Sequence, residues 1–295
     1  MTARIISGTE IARQITEEVR QEVEDLKTRH GVTPGLATVL VGADPASQVY
    51  VGSKVKMCQN LGIYSERIDL PADTTEEKLL ECVRELNRNP KIHGILVQVP
   101  LPKHIDEGKV LFAIDPAKDV DGFHPVSVGR MVIGEPGFLP CTPHGIQVML
   151  ERSGVKTDGA EVVVVGRSNI VGKPIANILL QKARGANATV TVCHSATRDM
   201  ASHTRRADIL IAAIGKPRYI TADMVKEGVV VIDVGTNDIG RTAKGKRILA
   251  GDVDFESVKE KASAITPVPG GVGPMTIVML MSNTAKAARM AAGLG

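Results

Sequence analysis

Between residues 11 and 30 the apolar positions Ile11, Ile15, Val19, Val23 and Leu26 recur every three or four residues, with polar side chains between them. That period lays one apolar stripe along a helix, and Gly31 supplies its stop. The next segment, 36–41 (LATVLV), is short and continuously apolar, which reads as a buried strand ending at Gly42. Asp44-Pro45 has the order of an N-cap followed by a first-turn proline, so a helix is expected from there to Leu61, closed by Gly62. Residues 75–88 read as another helix, and 94–99 (GILVQV) as a second buried strand. Pro100, Pro102, Pro116 and Pro125 then punctuate a loop-rich region that ends near 141–145 (CTPHG), and a helix is expected from Thr142 to Ser153.

The second half repeats the alternation. Strands are expected at 161–165 (EVVVV), 189–193, 208–214 and 229–234, with a helix over 173–182 after a glycine turn. The segment 266–273 (TPVPGGVG) is rigid and turn-rich, and Pro274 leads into a last helix. Strands alternating with helices predict an α/β fold with parallel sheets. A length of 295 residues fits about two domains, and two α/β lobes with a cleft between them are the simplest assembly.

Composition narrows the partners. Hydrophobic residues make up 43% and charged residues 23%, so an ordinary core can form without staples. A net charge of +3 with scattered basic residues, and only 2% aromatics, argues against nucleic acid as a partner. No stretch approaches the roughly 18 uninterrupted apolar residues that would span a bilayer, and the N-terminus MTARIISGTEIARQ lacks the pattern of a signal or transit peptide. A cytoplasmic protein is the expectation. Cys58, Cys82, Cys141 and Cys193 are widely spaced, which reads as buried thiols rather than a metal site.

The strongest chemical signal is VVVVGRSNIVGKP, residues 162–174. A buried strand enters a turn bounded by Gly166 and Gly172, and a helix follows, offering backbone N–H groups and a positive dipole end to a pyrophosphate. The GxGxxG fingerprint would need glycine at Ser168, so a plain tight turn is the competing reading. A P-loop is excluded by the five intervening residues and by Pro174 after Lys173. After the next strand, His194-Ser195 stands where an NAD site would carry an acid, and the next carboxylate is Asp199. Arg167 could pair with a 2′-phosphate, or be a solvated surface arginine.

In the first half, Tyr50 and Lys54 are spaced i and i+4 and share a helix face, while Lys56 faces away. A desolvated lysine can exchange a proton near neutral pH; the bland alternative is an exposed lysine beside a core tyrosine. Gln98 near a strand's carboxyl end is either hydrogen-bonded core or a site residue. Asp119 and Asp121 in KDVDGFHP could grip a guanidine-like edge or cap the turn, and the two readings are even.

Together the segments YVGSKVKMCQNLGI, GILVQVPLP, DVDGFHP, PCTPHGI, VVVVGRSNIVGKP, ATVTVCHS, VIDVGTN and ITPVPGGVGPMT, spread from residue 50 to 276, closely resemble the bifunctional methylenetetrahydrofolate dehydrogenase/methenyltetrahydrofolate cyclohydrolase family. The resemblance implies oxidation of 5,10-methylenetetrahydrofolate with NADP and hydrolysis of the methenyl product to 10-formyltetrahydrofolate, within one-carbon metabolism and purine biosynthesis. It implies a catalytic, folate-binding domain over 1–143, completed by a C-terminal helix at 275–295, and a Rossmann-type NADP-binding domain over 144–274. Lys54 would be the central catalytic residue, Tyr50 would stack on the folate, Gln98 would tune Lys54, and Asp121 would hold the pterin. Pro269, Gly270 and Gly271 would line the substrate pocket, and Gly166, Arg167, Ser168, Ser195 and Thr236 would bind the cofactor. No metal is implied, and a homodimer is.

Two departures stand out. The family commonly has isoleucine where this chain has Thr236, and the loop QKARGANATV is expected to adjust the adenine end. A dehydrogenase without the hydrolytic step and a non-catalytic cofactor-binding regulator are the rival readings. Retained Lys54 and Gln98 argue against the first. Intact Lys54, Tyr50 and Asp121 on separate segments argue against the second.

Overall fold

The computed structural model describes residues 2–242, 245 and 247–294. In chain order the strands are β1 (Arg4–Ile5), β2 (Gly35–Val41), β3 (Tyr64–Leu70), β4 (Gly94–Val97), β5 (Glu161–Val165), β6 (Thr189–Cys193), β7 (Ile209–Ala212), β8 (Val230–Asp233), β9 (Asn237–Arg241), β10 (Arg247–Ala250) and β11 (Ala264–Ile265). The helices are α1 (Gly8–His30), α2 (Pro45–Leu61), α3 (Glu76–Arg88), α4 (Glu107–Ala113), α5 (Pro125–Ile133), α6 (Cys141–Arg152), α7 (Gly172–Leu179), α8 (Met200–Thr204), α9 (Phe255–Val258) and α10 (Val272–Ala291). The chain divides into two compact units, one of Gln14–Cys141 and Ile277–Gly295, the other of Met1–Arg13 and Thr142–Thr276.

The first unit is built on a parallel three-stranded sheet in the order β3-β2-β4. Strand β2 is buried along its whole length, as its unbroken apolar sequence requires. Leu79, Val83 and Leu86 of α3 are buried in the cluster that includes Ala37, Val39 and Val97. Each such side chain contributes about 1.5–3 kcal/mol. Helix α2 begins as its sequence specifies: the Asp44 carboxylate accepts the Ser47 N–H at 2.7 Å, Pro45 is the first residue, and Gly62 ends it at φ 71°.

The region read as loop-rich contains two short helices. Asp106 caps α4 and His124 caps α5, which starts at Pro125, so one of the prolines taken as loop marks opens a helix. Strand β3 was not expected either. It is an edge strand with Glu66, Arg67 and Asp69, and such charges blunt its apolar signal while protecting the open edge. Strand β4 is shorter than expected and ends at Val97; the Gln98 N–H still reaches Val39 O at 2.9 Å, but Pro100 has no N–H to continue the ladder.

The second unit is an open parallel sheet in the order β1-β11-β8-β7-β5-β6, beside the antiparallel hairpin β9-β10. Strand β1 pairs with β11 through Arg4↔Ala264 and Ile5↔Ile265, so residues 2–13 group with this sheet, whereas the expectation placed them in the N-terminal domain. A two-residue strand has no periodicity to read, and its partner lies far along the chain. Val163, Val165, Leu210, Ala212 and Val231 form the heart of the core on one face.

Candidate active site

The glycine turn leaves the carboxyl end of β5, a central strand of the open sheet and the usual ligand edge of such sheets. Gly166 has φ 134°, and a Cβ there would lie 2.1 Å from Ala213 O, so only glycine fits. Ser168 reaches forward. Its Oγ accepts the N–H groups of Val171 (3.1 Å) and Gly172 (3.3 Å), and its carbonyl accepts Lys173 N–H at 3.1 Å. The first donors of α7 are therefore already used inside the protein, contrary to the expectation that they face an anion. Among the described residues, the N–H groups of Arg167, Ser168, Asn169 and Ile170 carry no protein hydrogen bond. The turn itself, rather than the helix end, offers donors to a diphosphate.

Val165 and Cys193 form the last pair of β5 and β6, and Arg167 and Ser195 each lie two residues beyond it on adjacent strands. Both are exposed, and no hydrogen bond joins them. Asp199 is committed elsewhere: its carboxylate accepts Ser202 N–H at 3.2 Å and caps α8. The tip of β6 thus presents a hydroxyl and a nearby guanidinium, with the nearest downstream acid occupied. The loop at 180–188 leads into Thr189, which pairs with Glu161 at the start of β5. It lies at the amino edge of the sheet, opposite the Gly166 turn, which corrects the expectation that it adjusts the adenine end.

Thr236 is exposed after β8. In the segment before α10, Pro269 is exposed, Gly270 has φ 100°, and its carbonyl accepts Thr9 N–H at 3.0 Å. Gly271 packs so closely on Gly8 that a Cβ on Gly8 would lie 1.8 Å from Gly271 O. Between these loops lie two carboxylates that the sequence reading passed over, Asp233 (4% exposed) and Asp252 (0%). Burial pushes the Asp233 carboxyl up to about 6, against the three backbone N–H groups it accepts. The available signal was a carboxylate ending the apolar run VVVID.

In the first unit, Lys54 is 8% exposed on α2, and Nζ donates to Gln98 Oε1 at 3.0 Å. Gln98 is fixed in turn, since Nε2 donates to Val99 O at 2.7 Å. Tyr50, one turn earlier on α2, is 45% exposed. Burial drives the Lys54 ammonium below its ordinary value, resisted by Asp121 and then Cys141. Burial likewise drives Asp121 up, resisted by the Lys54 charge and a hydrogen bond from the Cys141 thiol. Cys141 is pushed far up, first by burial and then by Asp121, and stays a neutral thiol. The reading of the cysteines as buried thiols holds for Cys58, Cys141 and Cys193, while Cys82 is partly buried.

The two aspartates part company. Asp119, 3% exposed, accepts Phe123 N–H at 3.2 Å and His124 N–H at 2.8 Å, so it caps the turn. Asp121 carries no such backbone bond among the described residues and faces Lys54 and Cys141. The loop is pinned beside β4: Ile95 N–H reaches Lys118 O at 2.9 Å, and Val120 covers Gly94, where a Cβ would meet it at 2.7 Å. Asn283 of α10 closes the back, donating to Val120 O at 2.8 Å and Leu139 O at 3.1 Å. The result is a buried lysine, an amide that holds its nitrogen, and a carboxylate within its field.

An open parallel sheet with a donor-rich glycine turn, on a chain that also carries a buried proton-transfer lysine in a separate α/β unit, defines a two-domain dinucleotide-dependent enzyme. Family models match both parts: the tetrahydrofolate dehydrogenase/cyclohydrolase catalytic domain over residues 6–121, and the NAD(P)-binding domain of the same family over 140–292. The chain belongs to the tetrahydrofolate dehydrogenase/cyclohydrolase family. It is 69% identical over 294 residues to the bifunctional protein FolD of Dehalococcoides mccartyi (strain CBDB1), covering 100% of this chain and 99% of that one. Among solved structures, the bifunctional FolD enzyme of Campylobacter jejuni is 47% identical with a TM-score of 0.91, covering 98% of this chain and 99% of that one. The Trypanosoma brucei methylenetetrahydrofolate dehydrogenase-cyclohydrolase, complexed with NADP cofactor and inhibitor, is 40% identical with a TM-score of 0.93 and 98% coverage of both.

Proposed function

We propose that this protein oxidises 5,10-methylenetetrahydrofolate to the 5,10-methenyl cation with NADP and hydrolyses that cation to 10-formyltetrahydrofolate. The observation that carries the reading is the buried Lys54 with Nζ 3.0 Å from Gln98 Oε1 and Asp121 beside it. The methenyl carbon is already electrophilic, so hydrolysis asks for orientation, a proton acceptor and a controlled water. Lys54, held toward its neutral form by burial, accepts the proton of the attacking water at Nζ and returns it as the ring C–N bond opens. Gln98 aims that nitrogen. Asp121 receives the amino-pyrimidine edge of the pterin, and half-exposed Tyr50 offers a ring for stacking.

NADP, when bound, supplies the hydride acceptor for the first step. The free N–H groups of the Gly166–Gly172 turn fit its diphosphate, and Gly166, Arg167 and Ser168 form that cradle. Arg167 and Ser195 at adjacent strand tips fit a 2′-phosphate, and Thr236 and the backbone of Pro269, Gly270 and Gly271 border the reactive end and the folate. The remaining assignments extend the same reading: a catalytic domain and an NADP-binding domain corresponding to the two units, a cytoplasmic homodimer, and a supply of one-carbon units to purine biosynthesis. Edge strand β6, with Val192 39% exposed, is the natural pairing surface.

Steady-state absorbance with 5,10-methylenetetrahydrofolate, following reduced cofactor and methenyl product with NADP and with NAD, tests the proposal. Rapid NADP reduction with little methenyl accumulation is expected. Accumulating methenyl product would leave a dehydrogenase alone, and no turnover would overturn the reading.

A further inference from the structure

Asp233 and Asp252 are buried carboxylates that the mechanism leaves unused, and between them they tie together several loops at the carboxyl edge of the second sheet. Asp252 Oδ2 accepts Ile214 N–H at 2.7 Å and Gly215 N–H at 2.9 Å, both in the loop that follows β7. Its Oδ1 accepts Asn237 Nδ2 at 2.9 Å, just after Thr236. Asp233 Oδ1 accepts Gly235 N–H at 3.0 Å and Asp252 N–H at 2.8 Å, and Oδ2 accepts Val253 N–H at 3.0 Å. The Asp233 N–H donates to Thr266 Oγ1 at 2.7 Å, which adds the segment leading to Pro269. Glycines make room for the pair. A Cβ on Gly251 would lie 1.8 Å from Asp233 Oδ2, and one on Gly235 would lie 2.4 Å from Asp252 Oδ1.

The placement has a consequence for the reaction proposed above, on which this inference rests. The glycine turn leaves β5, and the 2′-phosphate candidates lie on its β6 side. The loops tied by the two aspartates follow β7 and β8, on the other side of β5. A dinucleotide held at its diphosphate by the turn, with its 2′-phosphate on the β6 side, would present its reactive ring toward that other side. We propose that Asp233 and Asp252 are positioning residues, which hold the 214–215 and 235–237 loops in the geometry that hydride transfer needs without touching cofactor or substrate. Backbone fixed in advance in this way lowers the reorganisation that the transfer requires.

Asp233→Asn puts an N–H donor against one of the N–H groups that the carboxylate now accepts, and Asp252→Asn is the milder companion because its amide oxygen can keep the Ile214 and Gly215 N–H groups and only the Asn237 contact is lost. Three readouts on the full chain test the inference. Hydrogen exchange of the free protein is expected to be at least tenfold faster in segments 213–217 and 234–238 in Asp233→Asn, and less so in Asp252→Asn. The dehydrogenase kcat is expected to fall tenfold or more, with NADP binding by calorimetry within about threefold, because the diphosphate cradle is intact. The deuterium isotope effect with dideuterated methylene substrate should rise as transfer becomes limiting, while hydrolysis of added methenyltetrahydrofolate stays within about twofold. Equal losses of both activities with an unchanged isotope effect would mean a loss of folded protein only and overturn the inference. If Asp233→Asn does not fold, Asp252→Asn with unchanged exchange and isotope effect overturns it as well. Failure of the underlying function is separable, since it would appear as absent turnover in the unsubstituted protein.

Discussion

Asp119→Ala removes the acceptor of two backbone N–H groups, Phe123 at 3.2 Å and His124 at 2.8 Å, at a site only 3% exposed. Each buried donor left without a partner costs about 1–3 kcal/mol, so the substitution should destabilise the Lys54-bearing unit by about 2–6 kcal/mol. Asp119→Asn retains one acceptor and should lose about half as much. Asp121→Asn is the contrasting case two residues on. Asp121 accepts no backbone N–H among the described residues, so its replacement should leave the melting temperature within about 2 °C. It should nonetheless lower folate turnover at least tenfold. Urea unfolding followed by circular dichroism, run beside steady-state kinetics on all three variants, checks both halves. An Asp119→Ala protein as stable as the parent, or an Asp121→Asn protein that is the less stable of the two, would refute the division of labour drawn from the hydrogen bonds.

Lys54→Met should lower hydrolysis by a factor of about 10²–10⁴ in a protein that still folds, with a modest loss of stability because Gln98 Oε1 loses its donor; paired kinetic and melting measurements decide this. Arg167→Ala should raise the KM for NADP by about 10–100-fold, the value of one charge-assisted contact, and leave NAD almost unaffected; an equal rise for both cofactors would place Arg167 outside the 2′-phosphate. Asp233 titrates near 6 in the fold against an ordinary 3.8. Its raised value gives a stability contribution fully present below about pH 4 and lost as pH rises through 6, worth about 3 kcal/mol at most. The stability difference between parent and Asp233→Asn should therefore change across pH 4–6, and a flat difference would contradict it.

What the sequence determined by itself is what neighbouring residues decide. The Asp44 cap, the Gly62 stop, the fully buried β2 and the strand–glycine–helix unit at β5 all follow from side chains a few positions apart, and each is present as read. The shared helix face of Tyr50 and Lys54 is of the same kind, although only the fold shows that Lys54 is buried and Tyr50 half-open. The tertiary structure decided everything that depends on a partner distant in the chain. Pairing of β1 with β11 moved the first residues into the second unit. The turn at 119–124 gave Asp119 to the backbone and left Asp121 for Lys54, a choice that two aspartates in one short motif cannot express. Ser168 consumed the helix donors and left those of the turn, and Asp233 met Asp252 only because the β9-β10 hairpin returns the chain to the sheet edge. Periodicity and capping are local energies. Which carboxylate is desolvated, and which N–H groups remain open, are set by what the rest of the chain packs against them.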